Sequence, residues 1–308
     1  MENLVEVKNL AVSYFTYAGE VQSVRGVTFD IKSGKTTAIV GESGCGKTVT
    51  AKALMGLIHR PGKVLEESQI LFKGKDIINL SKKEKNEFCG KECSMIFQDA
   101  LVSLNPTMKI GKQITENLTN HNKSIPKKEL KRKATEMLQL VEIPDAEKCL
   151  EKYPHELSGG MRQRIMIAMA LVTHPNLLIA DEPVASLDVS IQAQIINLFK
   201  HLQEDHGFSI VFIAHDLSMV EFLCDRVAVM YHGRIVELAD TKALYETPLH
   251  PYTKDLLSAI PVPDPIVERK KVRPDYSKTV YDTEGQLKEV EKGHFVLTKG
   301  GGETVENE

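Results

Sequence analysis

The chain has 308 residues, 42% of them hydrophobic, with a formal net charge of −3 and a sequence pI of about 6.4. That length and apolar content suffice for a large buried core in one or two domains, and the slightly acidic balance excludes the basic character of a dedicated nucleic-acid binder. No run reaches the ~18 apolar residues needed to span a bilayer. The opening Met1-Glu2-Asn3-Leu4 has no signal-peptide shape. The cysteines (Cys45, Cys89, Cys93, Cys149, Cys224) are odd in number and scattered, which suits reduced thiols. An intracellular chain with peripheral membrane contact at most is expected. Cys89 and Cys93 have no nearby histidine pair and read as ordinary thiols.

In chain order, Leu4 to Leu10 alternates with period two, as a half-buried strand does, and Val21 to Ile31 reads as a second strand across a turn at Tyr17 to Glu20. The β-branched run Thr36 to Val40 leads into Gly41-Glu42-Ser43-Gly44-Cys45-Gly46-Lys47-Thr48, and a helix-like stretch follows from Thr50 to Ile58. This is the G-x-x-x-x-G-K-[ST] pattern in its strand–helix context. Glycines let backbone N–H groups turn inward around a polyphosphate, and the helix N-terminus adds partial positive charge. Lys47 reaches the β- and γ-phosphates, and the Thr48 hydroxyl can ligate Mg²⁺. Cys45, at a helix N-terminus, is expected to have a lowered thiol pKa and to be open to alkylation.

Gln98 follows the apolar run Met95 to Phe97 and begins a loop, Asp99-Ala100-Leu101. Residues from about 100 to 172 read as helical. Pro126 opens one helix, along which Leu130, Ala134, Met137, Leu138 and Val141 recur at core-packing spacing. Leu157-Ser158-Gly159-Gly160-Met161 opens another helix, Arg162 to Leu171, with a second anion-binding geometry at its N-terminus. Leu177 to Ala180 reads as a buried parallel strand ending in Asp181 and Glu182. Acids at a strand's carboxyl end lie where open α/β sheets bind ligands. Asp181 is placed to hold Mg²⁺, and Glu182, one residue on, to act as base for attack on a γ-phosphate. Ser186-Leu187-Asp188 comes next, and His215 ends the strand Ile210 to Ala214. Arg226 to Tyr231 and Arg234 to Leu238 form a hairpin across His232-Gly233. Beyond Thr247, prolines 248, 251, 261, 263, 265 and 274 suggest an extended appendage, and Lys299 to Glu308 is Gly-rich and acidic, suggesting a disordered end.

The order and spacing of the phosphate loop, Gln98, LSGGM, LLIADE, ASLD and His215 resemble the ATP-binding cassette (ABC) ATPase family over about residues 4 to 260. The resemblance implies an α/β P-loop NTPase fold: a mixed sheet with an antiparallel edge layer, a helical subdomain and a C-terminal extension. The nucleotide-binding domain is expected over residues 1–247, with its helical subdomain at about 100–172, and the extension over 248–308. By resemblance, Gly41 to Thr48 are the Walker A loop, Asp181 and Glu182 the Walker B pair with Glu182 as catalytic base, and Gln98 the Q-loop sensor of Mg²⁺. Ser158, Gly159 and Gly160 are the signature that clasps the γ-phosphate bound to a partner subunit. Asp188 is the D-loop residue, His215 the switch histidine, and Tyr14 the aromatic that stacks on adenine, with Phe15 and Tyr17 close by. Two such chains sandwich two ATP molecules head to tail, and no motif here looks degenerate.

Asn105-Pro106, Tyr153-Pro154-His155-Glu156-Leu157 and Pro248-Leu249-His250-Pro251-Tyr252-Thr253 resemble the oligopeptide/dipeptide/nickel importer subfamily, and Val49-Thr50-Ala51 leans to its D-type ATPase. That implies ATP and Mg²⁺ as ligands, two membrane permeases, a second related ATPase, an external solute-binding protein acting indirectly, no nucleic acid, and a place on the cytoplasmic face of the membrane. The helical subdomain and the Gln98 loop would dock on the permeases. Peptides are the expected cargo. Nickel or another small solute is the alternative, and a soluble ABC ATPase a more distant one. Many members carry a cysteine cluster for an iron–sulfur centre in the tail. Here the last cysteine is Cys224, so none is expected.

Overall fold

The computed structural model describes residues 2–98, 103–260 and 279–298. The expected loop at 99–101 and the expected disordered end at 299–308 lie outside them, as do prolines 261, 263, 265 and 274. Strands β1 (Asn3–Thr16) and β2 (Gly19–Lys32) pair antiparallel. β1 runs well past Leu10. Register shifts on both sides of Leu10, with Asn9 at φ 49, break the period-two alternation there, so Leu10 to Ser13 are all buried. A bulge of this kind hides a strand from periodicity. β3 (Thr36–Val40) leads to helix α1 (Lys47–Leu54). Then β4 (Gly62–Val64) and β5 (Gln69–Phe72) pair with β1, and β6 (Lys75–Asp76) closes on β5 to complete a five-stranded antiparallel layer.

Helix α2 (Lys82–Phe88) precedes β7 (Cys93–Ile96). The helical insertion follows: α3 (Ile110–His121), α4 (Lys127–Leu140), the short α5 (Ala146–Cys149) and α6 (Gly159–Leu171). Ala134, Met137, Leu138 and Val141 are buried as their spacing predicts, with Leu130 packed at the margin. β8 (Leu177–Asp181), α7 (Val189–His206), β9 (Ser209–Ala214), α8 (Leu217–Leu223), β10 (Arg226–Tyr231) and β11 (Arg234–Asp240) complete the main sheet.

The core strands β10, β3, β9, β8 and β7 are parallel. Alternate residues divide between two cores. Ala38, Val40, Leu178, Ala180, Phe212 and Ala214 face the helices, while Ile39, Leu177, Ile179, Val211 and Ile213 face α1 and the antiparallel layer. A sheet covered on both faces needs the near-continuous apolar strands seen in the sequence. Each of the larger side chains, Val, Leu, Ile and Phe, contributes about 1.5–3 kcal/mol when fully buried.

The segment after Thr247 departs from the expected extended appendage. Following α9 (Thr241–Glu246), helix α10 (Pro251–Ser258) folds onto the domain. A final hairpin, β12 (Gln286–Glu291) and β13 (His294–Thr298), joins the main sheet through β11, giving the order β12-β13-β11-β10-β3-β9-β8-β7. Proline spacing misled here. Pro251 occupies the first turn of α10, where a missing N–H costs nothing.

Candidate nucleotide site

The candidate residues gather because sheet register brings them together. Val40 pairs with Ala214, Asp181 with Ile213, and Ile96 with Ala180. Gly41, His215, Asp181, Glu182 and Gln98 therefore leave one sheet edge side by side, at the carboxyl ends of parallel strands.

The phosphate loop is built by close packing. A Cβ on Gly41 (φ 148) would lie 2.1 Å from the Met230 carbonyl oxygen, and one on Gly46 (φ 110) 2.5 Å from that of Ser23. Gly44 (φ 82) faces open space. Two glycines thus admit neighbouring backbone and the third needs only its dihedral freedom. Glu42 and Ser43 are exposed. Lys47 is buried, and its Nζ donates to the carbonyls of Gly41 at 2.7 Å and Glu42 at 2.9 Å. Gly46, the N-cap of α1, carries no side-chain cap, which leaves the first-turn N–H groups facing the loop's concavity.

Cys45 corrects an expectation. It is only 5% exposed, and burial pushes its thiol pKa up, outweighing the lowering influence of Lys47. Desolvation defeats the helix terminus because the thiol packs into the core beneath Gly41.

Thr48 Oγ1 donates to Asp181 Oδ1 at 3.1 Å. Asp181 is buried, and its carboxyl is raised above the ordinary range, first by burial and then by the Glu182 charge, against the Thr48 hydrogen bond. A desolvated carboxylate beside a hydroxyl is an oxygen pair of the kind that suits a hard divalent cation. Glu182 sits at φ 47, a left-handed conformation unusual for a side-chain-bearing residue, with its N–H donating to Ile213 O at 3.1 Å. Its Oε2 accepts from Gln98 Nε2 at 3.0 Å and lies 3.4 Å from His215 Nδ1. Two other loops thus converge on that one carboxylate.

Ser158, Gly159 and Gly160 start α6 elsewhere. Ser158 is exposed, and its Oγ accepts from Met161 N–H at 3.4 Å. A Cβ on Gly160 would meet Ile191 at 3.0 Å and one on Gly159 would meet Leu187 at 3.6 Å, so this helix start packs on the segment around Asp188. Asp188, exposed, is the N-cap residue of α7 without a cap bond. Tyr14 is half-buried on β1 against Gly62, while Phe15 and Tyr17 are exposed. Sequence reasoning missed Tyr252. Its hydroxyl accepts from the Glu42 N–H of the phosphate loop at 3.0 Å. Its one signal in the sequence is the stretch His250-Pro251-Tyr252-Thr253, whose local pattern does not show a contact 210 residues away.

Fold and site together are those of an ABC transporter cassette: the family's pattern, described as ABC transporter, matches residues 24–185. The pattern described as oligopeptide/dipeptide transporter, C-terminal region, matches residues 236–282. The chain is 55% identical over 258 residues to oligopeptide transport ATP-binding protein OppD of Bacillus subtilis, covering 84% of this chain and 72% of that one. It is 50% identical to dipeptide transport ATP-binding protein DppD of Lactococcus lactis, covering 87% and 76%. Against oligopeptide transport ATP-binding protein OppF of Bacillus subtilis it is 44% identical, covering 96% of each. Among solved structures, cbiO1 from Clostridium perfringens, part of the transporter complex cbiONQ, superposes with a TM-score of 0.69 at 28% identity, over 80% of this chain and 92% of that one. The chain belongs to the ABC transporter ATPase family, in its oligopeptide/dipeptide branch. Among the described residues no helix is long and apolar enough to cross a membrane.

Proposed function

We propose that this chain binds and hydrolyses ATP with Mg²⁺ to power uptake of short peptides, docked on two permease subunits at the cytoplasmic face of the membrane beside a second, related ATPase. The observation that carries the reading is the convergence of Gln98 and His215 on the Glu182 carboxylate, next to the Thr48–Asp181 pair and the Lys47 loop. In this reading Gly41 to Thr48 cradle the phosphates and Lys47 neutralises them. Thr48, Asp181 and Gln98 would hold Mg²⁺, which when bound would screen phosphate charge. Glu182 takes the proton of the attacking water, and Gln98 and His215 hold its carboxylate in place. Tyr14 stacks on adenine.

Ser158 to Gly160 and Asp188 lie at helix starts whose own contacts are with each other's segments. They are the half-site offered to a partner's nucleotide, which supports a head-to-tail dimer. Peptide cargo rests on the relatives' names and the matching C-terminal region.

The test is uptake in cells lacking this chain, with a labelled short peptide and with radiolabelled nickel. Loss of peptide uptake alone is expected. Loss of nickel uptake alone would keep the machine and change its cargo, and no change in either would remove the transport reading.

A further inference from the structure

Tyr252 reaches the phosphate loop from behind, across 210 residues of sequence. It is 1% exposed, and its hydroxyl accepts the Glu42 N–H at 3.0 Å. The carbonyl of the same peptide unit, Gly41 O, accepts from Lys47 Nζ at 2.7 Å. A trans peptide points its N–H and C=O in opposite directions. One rigid plane is therefore held between the tyrosine hydroxyl on one side and the loop lysine on the other.

Tyr252 is itself held by a buried frame. Glu237, on β11 and fully buried, accepts the N–H groups of Leu249 and His250 at 2.9 Å each and pairs with His294 Nε2 at 2.7 Å. His250 Nδ1 accepts the Tyr252 N–H at 3.2 Å. The Tyr252 ring lies 4.5 Å from Tyr231 and 5.3 Å from Tyr281, and Tyr231 follows Met230, whose carbonyl crowds Gly41.

From this geometry we infer that Tyr252 is a positioning residue for nucleotide binding: it sets the Gly41–Glu42 peptide, and through it Lys47, so the C-terminal segment contributes directly to ATP affinity. The inference rests on the ATP-binding reading of the loop. A phenylalanine keeps the ring and its packing but leaves the Glu42 N–H facing an apolar edge. The loop then shifts to re-pair that N–H, and restoring its geometry on ATP binding costs about the worth of one such bond, roughly five- to tenfold in affinity.

The experiment measures ATP dissociation constants, ATPase kcat and KM, and thermal midpoints for the full chain as wild type, Tyr252→Phe, Tyr281→Phe and Lys47→Ala. Tyr281 serves as control because it packs in the same ring cluster and its hydroxyl bonds to Asp255. Tyr252→Phe is expected to raise Kd and KM for ATP about five- to tenfold with kcat nearly unchanged, the pattern of lost uniform binding. Tyr281→Phe should bind ATP like wild type. Unchanged affinity in Tyr252→Phe, or equal loss in both tyrosine variants, would overturn the inference while leaving the loop's role intact. Wild-type binding by Lys47→Ala would instead bring down the ATP-binding reading, and this inference with it.

Discussion

Glu182 and Asp181 are neighbours in sequence with opposite surroundings. Glu182 is turned out of the strand by a left-handed backbone into reach of Gln98 and His215, whereas Asp181 stays buried at the strand end. Glu182→Gln keeps the shape and the Gln98 contact but cannot take a proton. It is expected to bind ATP as wild type does and to lose at least about 100-fold in turnover, measured by phosphate release. Asp181 gives a test on pH. Its folded-state carboxyl lies above the unfolded value, so folding favours the protonated form. The cost of ionising it is absent below the unfolded value and sets in as pH climbs through the folded one. Asp181→Asn, without nucleotide, should therefore melt higher than wild type near neutrality, with the gain shrinking on acidification, while its Mg²⁺-dependent ATPase is lost. A gain independent of pH would refute the burial argument.

At the scale of elements, the site is a product of strand ends. The loop after β3, the Asp181–Glu182 end of β8, His215 after β9 and Gln98 after β7 meet because parallel pairing keeps their carboxyl ends level. The C-terminal elements are fastened to this sheet at Glu237, whose carboxylate receives two backbone N–H groups and His294. Glu237→Ala removes the shared acceptor and leaves buried donors unpaired. A loss of about 3 kcal/mol is expected, seen as a lower urea midpoint. A surface-like change below about 0.5 kcal/mol would mean the frame is not what holds the segment.

For the whole molecule, the Ser158–Gly160 helix start and the phosphate loop lie on different elements, α6 and α1. Ser158 at the α6 start is exposed, so a large cation there should leave the monomer folded and able to bind ATP. In a Glu182→Gln background, Ser158→Arg should abolish the ATP-dependent association expected of that variant with the proposed second ATPase, read by size-exclusion chromatography with and without ATP. Persistence of the dimer would place the interface elsewhere.

The sequence by itself determined the family and most of the fold. The phosphate loop is contiguous, and its glycines, lysine and threonine carry their geometry locally. Leu177 to Asp181 announces a doubly covered strand through unbroken apolarity, and the α4 stripe announces its buried face. What only the tertiary structure decided depends on residues far apart in sequence. Burial of Cys45 reverses the effect expected of its helix terminus. After Thr247, Pro251–Ser258 becomes helix and residues 286–298 a hairpin on the sheet, where Glu237 and β11 offer acceptors and an open edge. Tyr252 supports a loop 210 residues away. Local pattern records which backbone conformations a segment prefers. It does not record which distant group will satisfy a buried N–H, because that pairing arises only when the packed chain brings donor and acceptor together.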